Sequence, residues 1–308
     1  MPFRVEALRS PKVRALPAAA REEILRLAEF EPALLQTPER LLERRWTCPA
    51  VKSFADSIHA RLKGSRGFDV VRCDGLPEPH RRLAYAMLGL SLGEPILRYG
   101  LLYAVADRGQ SHLEKRIPVS MTRASTGMHT DSSARDCVPG LVGLYCERAS
   151  LDGGTSRIAD AEAACAWLGE HEPAVLELLE RSYLRDVVTP GLDRDHAALV
   201  RNRFPVVSRT KRGFLVRYMR YWIEKGHERA GVPLSEEATR AFDRLDATLA
   251  RPEFSTAFRL EAADMLFLDN RRRMHGRDAY ERVPEGGRLL WRMWLDEPSE
   301  DTGSLARA

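Results

Sequence analysis

The sequence predicts a mainly β protein, with a barrel-like core of short strands supported by helices. From about residue 96 onward, short apolar and β-branched runs alternate with Gly, Pro, Asp and Asn at near-regular spacing. This pattern is typical of a sandwich or barrel rather than of a doubly wound sheet. The 308 residues contain no repeat and no Gly-, Ser- or Pro-rich linker, so we expect a single domain over residues 1–308.

The first part of the chain, about residues 1–65, is predicted to be a helical support. Apolar residues recur there at three- and four-residue spacing in two stretches: Ile24, Leu27 and Ala28, then Phe54, Ile58 and Leu62. The run GFDVVRC at 67–73 predicts a strand, and residues 79–92 predict a further helix.

The core, about residues 96–298, consists of short strand-like runs. In order these are ILRYGLLYAV, RIPVS, LVGLYCE, TSRIAD, RDVVT, FPVVS, FLVRYM, STAFRL, DMLFLD and RLLWRMWLD. Helical patterns interrupt them at 161–181 and 221–250. Residues 189–251 are therefore predicted to form one long, lid-like insertion.

One short motif in the core offers ligands for a metal ion. His129 and Asp131, in the run GMHTDS, are two residues apart, so their side chains project from the same side of an extended segment. An imidazole nitrogen and a carboxylate oxygen would then face a single ion. The alternative is a surface histidine beside a turn-forming aspartate, because this spacing also occurs by chance.

A second histidine follows the apolar run MLFLD. His275, in DNRRRMHGR, would stand at a barrel mouth and complete a facial triad of two histidines and one carboxylate. Such a triad leaves positions on a ferrous ion open for a co-substrate and for dioxygen. Taken alone, His275 is explained as a solvated histidine in a basic turn.

The run Arg271, Arg272 and Arg273 is explained as a solvated strand end rather than as a phosphate-binding patch.

Two arginines share one face of the last strand. Strand alternation in GRLLWRMW places Arg288 and Arg292 on one side, opposite Trp291 and Met293. Buried guanidinium groups need anionic partners, and their planar fork suits a carboxylate. We therefore expect an anionic ligand at this strand.

In this order, the motifs resemble the iron(II)- and 2-oxoglutarate-dependent oxygenases of the taurine dioxygenase and clavaminate synthase type. The resemblance rests on HTD at 129–131, GGTSRIAD at 153–160, DNRRRMHGR at 269–277 and RLLWR at 288–292. Weaker similarity extends it over most of the chain from about residue 65. It implies a double-stranded β-helix core, the jelly-roll fold that is also called cupin-like.

The resemblance also implies a role for each matching residue of the metal and co-substrate sites. His129, Asp131 and His275 would bind the iron. Arg288 would pair with the C5 carboxylate of 2-oxoglutarate. Thr155 matches a family threonine that hydrogen-bonds this co-substrate, and its alternative is an ordinary strand residue.

Arg292 matches a position that in some members of the family meets an acidic group of the primary substrate. If it does so here, Glu224 or Glu228 of the insertion are candidates to receive the amine of an amino acid. The alternative is an ion pair within the protein, in which case Arg292 says nothing about the substrate.

The activity implied by the resemblance is hydroxylation of a C–H bond of a small amino-acid-like or otherwise acidic metabolite. Dioxygen is the second co-substrate, and succinate and carbon dioxide are the co-products. Because related halogenases have a small residue in place of Asp131, hydroxylation is favoured over halogenation, while desaturation and cyclisation stay open. A non-redox metal-dependent hydrolase or isomerase of the cupin type, and a non-catalytic basic barrel that binds anions, remain alternatives.

Composition bears on partners and location. Lys and Arg total 48 against 44 Asp and Glu, a net charge of +4 that is scattered along the chain, so we expect no nucleic-acid partner. We also expect no membrane span. The five cysteines form no CxxC pair, which favours reduced thiols and a cytoplasmic location. The oligomeric state cannot be predicted from the sequence.

Overall fold

The computed structural model of the protein describes residues 8–106, 122–135, 137–186 and 195–297. Within these ranges the helices are α1 (Ala18–Phe30), α2 (Ala33–Gln36), a 3-10 helix (Pro38–Glu43), α3 (Pro49–Lys63), α4 (Glu78–Leu92), α5 (Ala161–His171), α6 (Pro173–Leu179), α7 (His196–Arg201), α8 (Arg220–Ala230) and α9 (Glu236–Leu249). In this part of the chain, no helix has the length and apolar character that crossing a membrane requires.

The strands in the same ranges are β1 (Arg14–Ala15), β2 (Phe68–Arg72), β3 (Glu94–Pro95), β4 (Tyr103–Ala106), β5 (Thr126–His129), β6 (Leu141–Arg148), β7 (Ser156–Asp160), β8 (Ser182–Leu184), β9 (Arg203–Pro205), β10 (Val207–Thr210), β11 (Gly213–Val216), β12 (Ser255–Phe258), β13 (Asp264–Asp269), β14 (Arg273–Arg277) and β15 (Leu289–Asp296).

Two sheets form the core. The large sheet has the order β1-β2-β13-β6-β15-β3, with β4 also paired to β15, and the small sheet has the order β12-β7-β14-β5. From β12 to β15, successive strands belong alternately to the small and the large sheet, and β5, β6 and β7 alternate in the same way. This alternation is the double-stranded β-helix that the resemblance implies, so the predicted fold class is confirmed.

Helices cover the outer face of each sheet. The N-terminal helices α1, α3 and α4 share a buried apolar cluster with the large sheet, and α5, α6, α8 and α9 share another with the small sheet. Strand β13 shows how the large sheet is buried on both sides. Met265 and Phe267 pack against the helices, while Leu266 and Leu268 face the space between the sheets. This explains why DMLFLD is a continuous apolar run.

Most sequence-predicted elements are present, with differences inside the insertion. The run FPVVS divides between β9 and β10, α7 was not predicted, and RDVVT is not a strand at Arg185 and Asp186. The run RIPVS lies outside the described residues, as do residues 187–194, which include the first six residues of the insertion. Helices α8 and α9 pack on the small sheet as a buttress, and a lid function for the insertion stays a prediction.

Two of the three arginines before His275, Arg271 and Arg273, are buried and Arg272 is half-buried, so the expectation of a solvated strand end was wrong. The Arg273 side chain is only 2% exposed and donates hydrogen bonds to Asp160 at 2.7 Å and to the Ser65 carbonyl at 2.5 Å. Arg272 donates to Asp269 at 2.6 Å. Because Arg272 and Arg273 are bound inside the fold, they do not form a phosphate-binding surface.

Candidate metal centre

A cavity opens between the two sheets, and its wall carries most of the polar residues predicted from the sequence. Strands β4, β6 and β15 contribute from the large sheet, and β5, β7 and β14 from the small sheet. The lining residues are Val105, Thr126, His129, Asp131, Leu144, Ser156, His275, Gly276, Arg277, Arg288, Leu290 and Arg292. Three arginines and one carboxylate therefore share this small space.

The two candidate histidines meet because β5 and β14 are neighbours in the small sheet. His129, the last residue of β5, lies directly opposite His275 in the antiparallel register. Their ring centroids are 4.4 Å apart. The Nδ1 atom of His129 is 2.8 Å from the Gly127 carbonyl, so it carries the proton and leaves Nε2 as the free lone pair. His275 thus lies within a strand and not in a turn.

Asp131 follows β5 in a tight turn that a distant residue holds in place. The buried Asn270 accepts a hydrogen bond from the Asp131 backbone N–H at 2.9 Å and donates one to its carbonyl at 3.2 Å. The next residue, Ser132, has a φ of 60°, a left-handed conformation that costs free energy in a residue with a side chain. The Asn270 contacts therefore help to fix the Asp131 backbone that presents the carboxylate.

The carboxylate of Asp131 points toward both histidines. Its Oδ1 atom lies 3.8 Å from His129 Nε2 and 3.9 Å from His275 Nε2. Two side chains of β15 also reach this carboxylate: Arg292 Nη1 lies 3.3 Å from Oδ1, and Trp294 Nε1 donates to Oδ2 at 2.6 Å. Arg292 therefore has an acidic partner inside the protein, the alternative that the sequence left open.

The three side chains fit a metal ion of the ferrous type. Each contributes one ligand atom, and these atoms all lie within 4.8 Å of one another. It is the one such group found among the described residues. Two imidazoles and one carboxylate are the ligand set of non-haem iron(II) oxygenases, and they leave the remaining positions to other ligands.

The electrostatics of the site favour the protonation states that a metal needs. Burial lowers the pKa of His275 to about 3, with His129 adding to the effect, and burial likewise lowers the pKa of His129. For Asp131, burial would raise the pKa, but the positive charge of Arg292 and the neighbouring histidines outweighs it and the pKa is lowered. At neutral pH the site therefore presents two neutral imidazoles and one carboxylate.

Arg288 lies just before β15, in the cavity wall, and is 7% exposed. Burial lowers its pKa, and the group that faces it is the phenol of Tyr280, whose ring centre is 5.3 Å from the guanidinium carbon. No carboxylate of the described residues is within ion-pair distance of Arg288. A buried guanidinium in this situation is suited to an anionic ligand.

Thr155 is not in the cavity wall, whereas its neighbour Ser156 is. Thr155 precedes β7, and its carbonyl accepts a hydrogen bond from the Asp278 backbone N–H at 2.9 Å. Adjacent residues of an extended segment face opposite sides, so the hydroxyl that this segment turns toward the metal ligands belongs to Ser156.

Besides Ser156, several residues of the site were not predicted. Arg277 and Thr126 line the cavity, and Asn270 and Trp294 contact Asp131. The even spacing from His275 to Arg277 and from Arg292 to Trp294 was the available signal, because strand residues two apart share a face. No local pattern identifies Asn270, since its partners are far away in the sequence.

The proposed carboxylate partners of a substrate amine are engaged elsewhere. Glu224 pairs with Arg220 at 2.7 Å, and Glu228 pairs with Lys225 at 2.5 Å. Neither is a cavity residue. The structure thus does not bring these two glutamates to the metal ligands.

Comparisons with known proteins find a matching family model and a similar dioxygenase. The model of the family "Taurine catabolism dioxygenase TauD, TfdA family" matches residues 66–294. A uridine-5'-phosphate dioxygenase from Amycolatopsis sp is 32% identical over 261 residues, which are 80% of this chain and 92% of that protein.

Among solved structures, asparagine oxygenase in complex with Fe(II), 2S,3S-3-hydroxyasparagine and succinate has a TM-score of 0.67 at 17% identity, covering 92% of this chain and 93% of that one. The non-heme iron oxygenase OrfP in complex with Fe and alpha-ketoglutaric acid has a TM-score of 0.60 at 18% identity, covering 92% and 94%. At these identities the two structures establish the fold.

Proposed function

Because the chain belongs to the taurine catabolism dioxygenase TauD, TfdA family, it is an iron(II)- and 2-oxoglutarate-dependent dioxygenase, and we propose that it hydroxylates a small metabolite that carries an acidic group. The observation that carries the proposal is the cavity itself, where the triad and the guanidinium groups of Arg288 and Arg292 face the same space. When bound, iron(II) with 2-oxoglutarate and dioxygen oxidises a C–H bond, and the oxo acid leaves as succinate and carbon dioxide.

Different residues of the chain are proposed to bind the metal and the co-substrate. His129, Asp131 and His275 hold the metal. Arg288 is proposed to bind the distal carboxylate of 2-oxoglutarate through its planar fork, in a pocket whose low exposure strengthens the ion pair. The hydrogen bond that the family resemblance assigns to Thr155 stays a prediction, and Ser156 is a second candidate because it lines the cavity.

The acidic substrate group is inferred from charge balance: among the described residues, Asp131 is the one carboxylate of the cavity wall, so it cannot neutralise both a metal ion and its ion-pair partner Arg292. Its guanidinium reaches Asp131 Oδ1, the oxygen that faces both histidines, and also lies 5.0 Å from the ring centre of Tyr103. A metal ion at the triad and this guanidinium are both cations, so they repel each other across a site with little solvent. An anionic group of the substrate beside Arg292 would offset this repulsion.

The chemical class of the acidic group has two candidates. The sequence favours the carboxylate of an amino acid or a close derivative, and asparagine oxygenase, which shares the fold, was solved with hydroxyasparagine. The uridine-5'-phosphate dioxygenase named above, at 32% identity, instead acts on a phosphate ester. Both a carboxylate and a phosphate can form charge-assisted hydrogen bonds with a guanidinium group.

Anaerobic titration tests the reaction class. Adding iron(II) and then 2-oxoglutarate should produce a metal-to-ligand charge-transfer band, which a hydrolase or isomerase of the cupin type and an anion-binding barrel have no reason to show. The Arg288→Ala variant at the same 2-oxoglutarate concentration is the matched control, and its band should be weaker. A metal-loaded wild-type protein without the band would contradict the proposal.

Succinate release tests the substrate class. Free amino acids are compared with their amides and esters, and nucleoside 5'-monophosphates with the corresponding nucleosides. We expect either the free amino acids or the nucleoside 5'-monophosphates to increase succinate release well above the substrate-free rate. The Arg292→Met variant should lose most of this increase. Equal turnover of charged and neutral forms would remove Arg292 from the substrate site.

A cytoplasmic location is proposed on the cysteines alone. All five are free thiols, four of them buried, which suits a reducing compartment. Fractionation of cells that express the protein, with antibody detection, would test the location.

A further inference from the structure

Asp131 can turn either of two chemically equivalent oxygens toward a metal, and the structure distinguishes them. Oδ1 faces the Nε2 atoms of both histidines at 3.8 and 3.9 Å, whereas Oδ2 accepts the short hydrogen bond from Trp294 Nε1. We propose that Trp294 is a positioning residue that keeps Oδ2 away from the metal, so that Asp131 binds through Oδ1 alone. This inference rests on the proposed metal site.

The indole is well suited to this task because of its chemistry. Its N–H donates but cannot accept a hydrogen bond, and the ring is neutral and does not ligate metals. Trp294 therefore engages Oδ2 without adding a positive charge near the ion. Arg292, the other donor to this carboxylate, is a cation and contacts Oδ1, so the two donors of β15 are not equivalent.

The surroundings of Trp294 fix the direction of its N–H. The backbone of Trp294 pairs with Val142 of β6, and its carbonyl accepts a hydrogen bond from the Ile96 N–H at 2.9 Å. Tyr99 contacts its ring edge-on at a centroid distance of 5.3 Å, and the Arg292 guanidinium lies 4.7 Å from the ring centre. A ring with these two neighbours and a paired backbone loses little further entropy when it donates to a carboxylate.

Binding of Asp131 through one oxygen would determine how many positions of the metal ion stay open for the reaction. A carboxylate that bound through both oxygens would occupy an additional position of an octahedral ion, and the chelating oxo acid and dioxygen together need three. With Oδ2 held by Trp294, the triad supplies three ligands and leaves three positions. Trp294 thus acts through Asp131 and not by contact with the substrate.

The chain contains a matched control on the same strand. Trp291, three residues before Trp294, points to the opposite face of β15 and donates its Nε1 hydrogen to Glu147 at 2.7 Å. A Trp-to-Phe change at either position removes one indole–carboxylate hydrogen bond and leaves an aromatic ring. Only at Trp294 is the carboxylate a metal ligand.

The experiment compares Trp294→Phe and Trp291→Phe with the wild type. Metal affinity is measured by Co(II) titration of the apo protein, and the charge-transfer band with iron(II) and 2-oxoglutarate is recorded at saturating metal. We expect Trp294→Phe to bind Co(II) about 10- to 100-fold more weakly and to show a shifted or weakened band. Trp291→Phe should match the wild type in both.

Two outcomes separate this inference from the proposed function. If the wild type binds metal and shows the band, and Trp294→Phe does the same with unchanged affinity, the positioning role is refuted while the oxygenase assignment stands. If the wild type shows no band, the proposed function itself fails. If Trp294→Phe does not fold, Trp294→Gln and Trp294→Leu take its place. The first keeps an N–H donor and the second has none, so equal Co(II) affinities of these two variants would refute the role.

Discussion

Asp131 is the residue on which the chemistry of the cavity converges. Asn270 holds its backbone, Trp294 and Arg292 contact its carboxylate, and each of these partners lies more than 130 residues further along the chain. The sequence pattern located the ligand itself, because HxD spacing is local. Its partners could not be predicted in the same way, since hydrogen bonds between distant segments leave no periodic signal.

The three metal ligands are expected to be individually essential. His129→Ala, Asp131→Ala and His275→Ala should each abolish substrate-dependent succinate formation, because two remaining ligands hold the ion too weakly. Metal analysis of purified protein should show iron content falling together with activity. His171→Ala, at an exposed histidine that stacks on Trp167, is the control. Full turnover with bound iron in the His275 variant would overturn the assignment.

Arg288 should govern the affinity for 2-oxoglutarate and leave the metal in place. Arg288→Ala removes a charge-assisted pair of hydrogen bonds, each of which contributes about 1.5–3 kcal/mol, so the apparent KM for 2-oxoglutarate should rise roughly a hundredfold or more. Arg288→Lys should restore part of the affinity, because an ammonium group cannot make the two-pronged contact. An unchanged KM in the alanine variant would exclude Arg288 as the anchor.

Asn270 should contribute to stability as well as to the site. Asn270→Ala leaves the buried backbone N–H and carbonyl of Asp131 without these partners, at a cost of about 2–4 kcal/mol in the free energy of unfolding. Urea unfolding of the apo protein measures this loss. Because the Asp131 backbone is then less constrained, Co(II) affinity should fall too. If both the free energy of unfolding and the Co(II) affinity were unchanged, the Asn270 contacts would be dispensable.

At the scale of elements, strand β14 shows where sequence patterns fail. The run DNRRRMHGR has the composition of a basic turn, yet Arg273 to Arg277 form a fully buried strand between β7 and β5. Burial is tolerated because Arg273 pairs with Asp160 and because backbone carbonyls accept from Arg277. By contrast, DMLFLD and RLLWRMWLD were predicted correctly, since apolar character or alternation marks them directly.

The packing of α8 against the backbone at Arg185 can be tested by adding one methyl group. A Cβ at Gly226 would lie 2.7–2.8 Å from backbone atoms of Arg185, closer than real Cβ contacts. Gly226→Ala should therefore destabilise the protein by about 1–3 kcal/mol in urea unfolding. Gly64→Ala, where the new Cβ would be at an ordinary 3.5 Å contact, is the control, and similar stabilities of the two variants would contradict the close packing.

At the scale of the whole molecule, two β-sheets lie between two helical layers, and the buried clusters account for the arrangement. A sandwich or barrel of short strands was within reach of sequence analysis from their regular spacing, whereas the alternation of strands between the two sheets was implied only by the family resemblance. The internal structure of the insertion was not, since α7 and the division between β9 and β10 are short elements whose formation depends on contacts with the rest of the fold.

This layered burial predicts the reactivity of the cysteines. Burial raises the pKa of Cys73, Cys146 and Cys165 to about 12, and it also raises the pKa of Cys48, whereas Cys137 is exposed. A raised thiol pKa means less reactive thiolate at pH 8, so a disulfide reagent should label one cysteine rapidly in the native protein and all five after denaturation. Two or more rapidly labelled thiols in the native state would contradict the packing.

The two faces of strand β15 have different environments, and this limits how the strand can change. Trp291 and Met293 face the helical layer, while Leu290, Arg292 and Trp294 face the cavity or its metal ligand. A single inserted or deleted codon within the strand would exchange the two sets, placing guanidinium groups in an apolar layer and removing them from the cavity. A substitution therefore changes one side chain of this strand at a time, whereas a change in its length would disrupt both faces at once. We expect insertions and deletions to be tolerated in the connecting loops instead.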